Sequence, residues 1–206
     1  QALAFIEESK ATPYFLMLSI NPPHSNFTDA PPEKLALYPE GSLPFRPNYR
    51  LPDADAGSIF SKNGSPHYEG YHAHISAVDD ELARLLAAVK KSGAEKNTII
   101  VYSSDHGSMH GSHAVGSKRQ PLIVYGPGKV PTNIQNDALF GAIDMVPTLC
   151  GLAGIAPPDG CAGEDYSPVV LDGAIPPERD AQFIMHIAKD NASKGNEHPA
   201  PIFRGL

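Results

Sequence analysis

The chain has 206 residues, one domain's worth or a large piece of one. Hydrophobic residues make up 41% of it, enough for a packed core and too many for a disordered chain. A formal net charge of -7 with no basic stripe argues against a nucleic-acid partner, and no run of about 20 apolar residues is present to cross a membrane.

Tyr14–Ile20 (YFLMLSI) is a nearly continuous apolar run, preceded by Pro13 and ended by Asn21-Pro22-Pro23. It predicts a buried strand of a parallel sheet. The stretch from Pro22 to Pro66 is rich in Pro, Gly and Asn and has no clear period. A loop that long in a compact domain is usually functional or decorative. A strong helix is predicted next. Ser65 can cap it, Pro66 suits its first turn, and Gly93 ends it. Ile75, Val78, Leu82, Leu85, Leu86 and Val89 form one apolar face at three- and four-residue steps. Asp80 and Arg84 are spaced for an i,i+4 pair. Asp79-Asp80 and His72/His74 diverge around the helix and read as parts of a solvated face.

Thr98–Ser103 (TIIVYS) predicts a second buried strand, and Leu122–Tyr125 (LIVY), closed by Gly126-Pro127-Gly128, a third. Ile143–Ala153 predicts a short helix with Pro147 in its first turns. This order is an α/β layout, a mainly parallel or mixed sheet flanked by helices. Cys150 and Cys161 read as free, partly buried thiols. Asn26-Phe27-Thr28 and Asn191-Ala192-Ser193 fit the glycosylation sequon.

In open α/β sheets ligands bind beyond the carboxyl ends of the strands. Asn21–His24 and Ser104–Lys118 lie there. Asp105 leaves a strand tip with His106 directly after it, so one oxygen and one nitrogen can serve a divalent cation, with Gly107 and Gly111 allowing tight turns. His106, His110 and His113 have helical spacing, but the glycines and serines between them are poor helix formers and the zinc-protease glutamate is missing. Gly111 to Lys118 misses the phosphate-loop pattern by one residue, with Arg119 where Ser or Thr belongs. No Gly-x-Ser-x-Gly elbow occurs.

Taken together, these segments resemble the sulfatases of the alkaline phosphatase superfamily. The resemblance runs in order from about Pro13 to Leu171. It rests on Pro13-Tyr14-Phe15-Leu16 to Pro22-Pro23-His24, on Ala77-Val78-Asp79-Asp80, and on Ser104-Asp105-His106-Gly107 with Gly111-Ser112-His113 and Lys118. Pro121-Leu122-Ile123-Val124 with Gly126-Pro127-Gly128, then Asp144-Met145-Val146-Pro147-Thr148-Leu149 with Leu152-Ala153-Gly154, complete it. The resemblance implies that residues 1–206 are part of a sulfatase catalytic domain. Asp105 and His106 would bind a divalent cation, calcium by preference and magnesium or manganese as alternatives. His24 and Lys118 would be catalytic and substrate-binding residues, His24 at the bridging or sulfate oxygen and Lys118 at a sulfate oxygen. The substrate would be a sulfated small molecule or carbohydrate, and the compartment periplasmic or extracellular.

Two features depart from the family pattern. The family's nucleophile is a formylglycine made from the first residue of a Cys- or Ser-x-Pro-x-Arg motif. Cys150 is followed by Gly-Leu-Ala and Cys161 by Ala-Gly-Glu, so neither fits, and the nucleophile is expected in a missing N-terminal half. Lys118-Arg119-Gln120 also meets Pro121 directly, where the family carries an acidic segment with an arginine. The expectation is a piece of a sulfate ester hydrolase, inactive alone. The rival readings are a phosphonate or phosphate ester hydrolase of the same superfamily and a degenerate, non-catalytic relative.

Overall fold

The computed structural model describes residues 1–24, 26–44, 66–106, 120–182, 184–186 and 203–205. They fall into two compact units, Gln1–Tyr125 and Gly126–Leu206. Among the described residues no helix is long and apolar enough to cross a membrane.

The first unit is organised by helix α3, Pro66–Lys91, which matches the predicted helix. Its end is set locally: Gly93 takes φ +80, and the Ser92 hydroxyl donates to the Val89 carbonyl at 2.7 Å. Helices α1 (Ala2–Ser9) and α2 (Pro32–Leu35) pack on α3. Ile6 of α1 and Val89 of α3 are buried. Lys34 of α2 reaches Asp80 at 2.5 Å, and Arg84 turns to Glu81 at 2.6 Å. The expected Asp80–Arg84 pair is therefore replaced, because α2 brings a lysine to Asp80 and leaves Arg84 its other acidic neighbour.

After a 3-10 turn at Glu95–Asn97 come β1 (Ile100–Ser103) and β2 (Leu122–Tyr125). They pair antiparallel, Ile100 opposite Tyr125 and Ser103 opposite Leu122. Ile100, Tyr102, Ile123 and Tyr125 share a cleft of about 300 Å³ with Ile75, Asp79, Leu82 and Leu86 of α3. Both predicted strands form, but neither is buried: β1 is half-buried throughout and Ile123 of β2 is 57% exposed. An interior strand needs a ladder on both edges and cover on both faces. Among the described residues each strand has one partner, and one face looks across the cleft to α3. The run Tyr14–Ile20 departs further from expectation. It joins no ladder among the described residues, and Phe15 and Met17 are 75% and 77% exposed. Apolar composition alone does not make a strand, because the backbone must find a partner edge.

In the second unit a 3-10 turn at Ala142–Asp144 leads into α4 (Met145–Ala153), ended by Gly154 at φ +70. Helix α5 (Ser167–Asp172) packs on α4. At Gly151 an added Cβ would stand 2.2 Å from the Ser167 hydroxyl, so glycine permits this approach. Asp144 is fully buried. Its carboxylate accepts the amides of Gly141 (2.7 Å) and Glu164 (2.8 Å) and two Arg179 bonds (2.7 and 3.1 Å). Strands β3 (Ile184–His186) and β4 (Phe203–Gly205) form a separate antiparallel pair. Cys150 and Cys161 are free thiols.

Candidate functional site

The site begins where β1 ends. Because Ser103 lies opposite Leu122, the chain leaves β1 and re-enters β2 at the same end of the pair. Two side-chain bonds close the base of that excursion. The Ser103 hydroxyl donates to the Pro121 carbonyl at 2.9 Å, and the Gln120 amide donates to the Asp105 carbonyl at 2.6 Å.

Asp105 and His106 stand on this base with side chains 86% and 56% exposed. Asp105 Oδ1 accepts the His106 backbone N–H at 2.8 Å, which orients the carboxylate. Asp105 Oδ2 lies 3.5 Å from His106 Nε2, so the two side chains face the same side of the loop. That separation is long for a hydrogen bond. It suits two neighbouring ligands of one cation: atoms about 2.0–2.6 Å from a metal and at right angles to it stand roughly 2.8–3.7 Å apart. The donor set fits as one edge of a coordination shell, since a hard oxygen with one imidazole suits calcium, magnesium or manganese. It is not a whole shell. Among the described residues no cluster of three or more His, Cys, Asp or Glu could hold a metal.

His24 follows the Pro22-Pro23 cis peptide, and its N–H closes a turn on the Asn21 carbonyl at 3.0 Å. His24 itself is exposed. Lys118, His110 and His113 lie outside the described residues. Asp105 and His106 are thus the site pair whose geometry is defined, and His24 stands on a turn of the same unit.

Two histidines of α3 were read wrongly from sequence. His74, expected on a solvated face, is 7% exposed and bonded. Its Nε2 lies 3.1 Å from the Asn26 carbonyl and 3.0 Å from Asp29 Oδ1. His72, expected on that face too, is half-buried; its Nδ1–H donates to the Tyr68 carbonyl at 2.8 Å and its ring meets Tyr68 edge-on at 4.6 Å. Gly70 was the available signal. A glycine one turn before His74, inside a long helix, marks a face on which another backbone lies. Asp79 and Asp80 are exposed, as their spacing suggested.

Comparison with known proteins is consistent in direction. The Sulfatase family model matches residues 1–155. The ulvan-active sulfatase of Formosa agariphila is 31% identical over 188 residues, covering 86% of this chain and 35% of the relative. The yidJ structure from Bacteroides fragilis superposes with a TM-score of 0.76 at 26% identity, covering 91% of this chain and 43% of that one. A structure solved in complex with its substrate D-glucosamine-2-N,6-O-disulfate superposes with a TM-score of 0.57 at 28% identity, covering 67% and 30%. The chain therefore spans about a third of the length of the curated relative. Its α/β architecture is that of the alkaline phosphatase-like fold, and the chain belongs to the sulfatase family.

Proposed function

We propose that these 206 residues supply the cation-binding and ester-binding side of a sulfate ester hydrolase site. The observation that carries this is the Asp105–His106 pair, whose ligand atoms lie 3.5 Å apart on one side of a strand-tip loop. Asp105 Oδ2 and His106 Nε2 would hold a divalent cation, calcium by preference. When bound, it would neutralise charge on the sulfuryl oxygens. Cleaving a sulfate ester also builds negative charge on the leaving oxygen. His24 would donate a hydrogen bond or proton there, and Lys118 would hold a sulfate oxygen as a point charge. A sulfated carbohydrate is the substrate class, supported by a relative solved with a glucosamine disulfate.

The nucleophile is a separate matter. Neither cysteine opens a Cys-x-Pro-x-Arg motif, and the Ser-x-Pro-x-Arg spelling that does occur, Ser42-Leu43-Pro44-Phe45-Arg46, follows the Pro22-Pro23-His24 segment, whereas the family carries its nucleophile before that segment. His24 and Lys118 can polarise an ester but cannot attack it. Two ligands are also few beside the roughly 6–8 of a calcium site. The expected behaviour of the purified chain is weak metal binding and no turnover of an aryl sulfate.

Manganese titration followed by NMR tests the metal assignment. Paramagnetic broadening should reach the His106 ring first and disappear in Asp105→Ala. Broadening that spares His106 would defeat it. Metal-dependent turnover by this chain, lost in Asp105→Ala, would show instead that its site is complete.

A further inference from the structure

The segment that bears His24 is held from behind by α3. Phe27 is 6% exposed, and its ring meets Tyr71 edge-on with centroids 6.1 Å apart. Its carbonyl lies directly on Gly70, where an added Cβ would stand 2.1 Å from the oxygen. One turn further along α3, His74 Nε2 reaches the Asn26 carbonyl and Asp29 Oδ1. Both are acceptors, so Nε2 carries the proton and donates to each. Because His74 is 7% exposed, little water competes for these bonds. A glycine inside a helix disfavours it by about 1 kcal/mol relative to alanine. Burying an imidazole is unfavourable unless its N–H is satisfied. Neither residue serves the helix itself, and both contact the backbone just beyond His24.

We propose that Gly70 and His74 set where His24 stands, and that His74 is its positioning residue. This rests on the reading of His24 as the histidine that faces the ester oxygen. The anchors lie on either side of it. The Asn21 carbonyl holds the His24 N–H before the imidazole, and His74 holds the Asn26 carbonyl two residues after it. Two residues span at most roughly 7 Å of chain. A shift of the second anchor is therefore passed to a residue no further than that length away, and catalysis feels about 1 Å of misplacement.

The test uses the 206-residue chain and observes His24 directly, by its ring NMR resonances and its acylation rate with diethyl pyrocarbonate. His74→Leu keeps bulk and removes the donor. It should shift the His24 ring signals and change its acylation several-fold, while the Asp105 and His106 amide signals stay in place. His74→Gln, whose side-chain N–H reaches a similar point, should restore both readouts. Unmoved His24 signals in folded His74→Leu overturn the proposal, as does a variant in which every ring signal moves together. Should His74→Leu not fold, Asp29→Ala takes its place, since Asp29 is solvent-facing with its side chain 64% exposed. It should move His24 less, and no movement overturns the proposal. Inorganic sulfate added to the parent chain separates the two ideas. If sulfate leaves the His24 ring unmoved, the ester-facing role fails, while control of its position by His74 is judged by the variants alone.

Discussion

Asp105 and Asp144 are both aspartates at the edge of regular structure, one after a strand and one before a helix, and their surroundings could hardly differ more. Asp144 is fully buried, and each of its oxygens accepts two bonds from its own chain. Burial pushes its carboxyl up, but the Arg179 guanidinium and the Glu164 and Gly141 amides outweigh that and hold it below the usual carboxylate range. Asp105 is 86% exposed in its side chain, with one oxygen on a neighbouring amide and the other beside an imidazole. A carboxylate satisfied by its own fold has nothing left for a ligand. One with an accessible oxygen next to a second donor does.

The largest expected effect is at Asp144. Asp144→Ala leaves the Arg179 guanidinium, 17% exposed in its side chain, without its anion. Breaking a buried pair from one side costs about 3–5 kcal/mol. Urea unfolding, with hydrogen exchange of the α4 amides as the local readout, measures it. Asp105→Ala in the same experiment should leave the unfolding midpoint where it was. Equal losses at both positions would erase the contrast.

Gly70→Ala comes next. The added methyl must push the Phe27 carbonyl off α3, and overpacking of this kind costs about 1–3 kcal/mol. Urea unfolding again reports it, and an unchanged midpoint would mean that the approach relaxes freely.

Acid sharpens the same comparison. The Asp144 carboxyl is held below its ordinary value, so its contribution is fully present above the unfolded carboxylate range and is lost as pH falls through the depressed folded value. Arg179→Met removes the main opposition to burial, so the acid-unfolding midpoint, followed by circular dichroism, should move to higher pH. A midpoint that stays put would show that the two amides suffice.

The smallest effect is expected at Lys34. Asp80 holds its ammonium charged above the usual lysine range, through a hydrogen bond that outweighs partial desolvation. Its partner Asp80 nevertheless keeps its side chain 60% exposed, and ion pairs open to water on one side add little. Lys34→Ala should not shift the urea midpoint measurably. A clear loss would show that α2 depends on this pair to stay on α3.

Sequence by itself determined what is local. The 3.6-residue apolar period and a following glycine were enough for α3, because a helix satisfies its hydrogen bonds within its own segment. The β-branched run Thr98–Ser103 and the adjacent Asp105 and His106 were legible for the same reason, since consecutive residues at a strand tip need no distant partner to stand together. The ordered motifs also sufficed to reach the family. Tertiary structure alone decided what depends on residues far apart. Tyr14–Ile20 has strand composition but no ladder among the described residues, because a strand is completed only by another backbone edge. His74 changed from a solvated histidine to a buried donor because Asn26 and Asp29, nearly fifty residues away, arrive on α3. In sequence Asp144 is simply the second residue of the predicted helix Ile143–Ala153, and only Arg179, 35 residues later, makes it half of a buried pair. The physical reason is common to all three: periodicity reports which face a residue occupies, whereas its burial and partners depend on what the rest of the chain brings to that face.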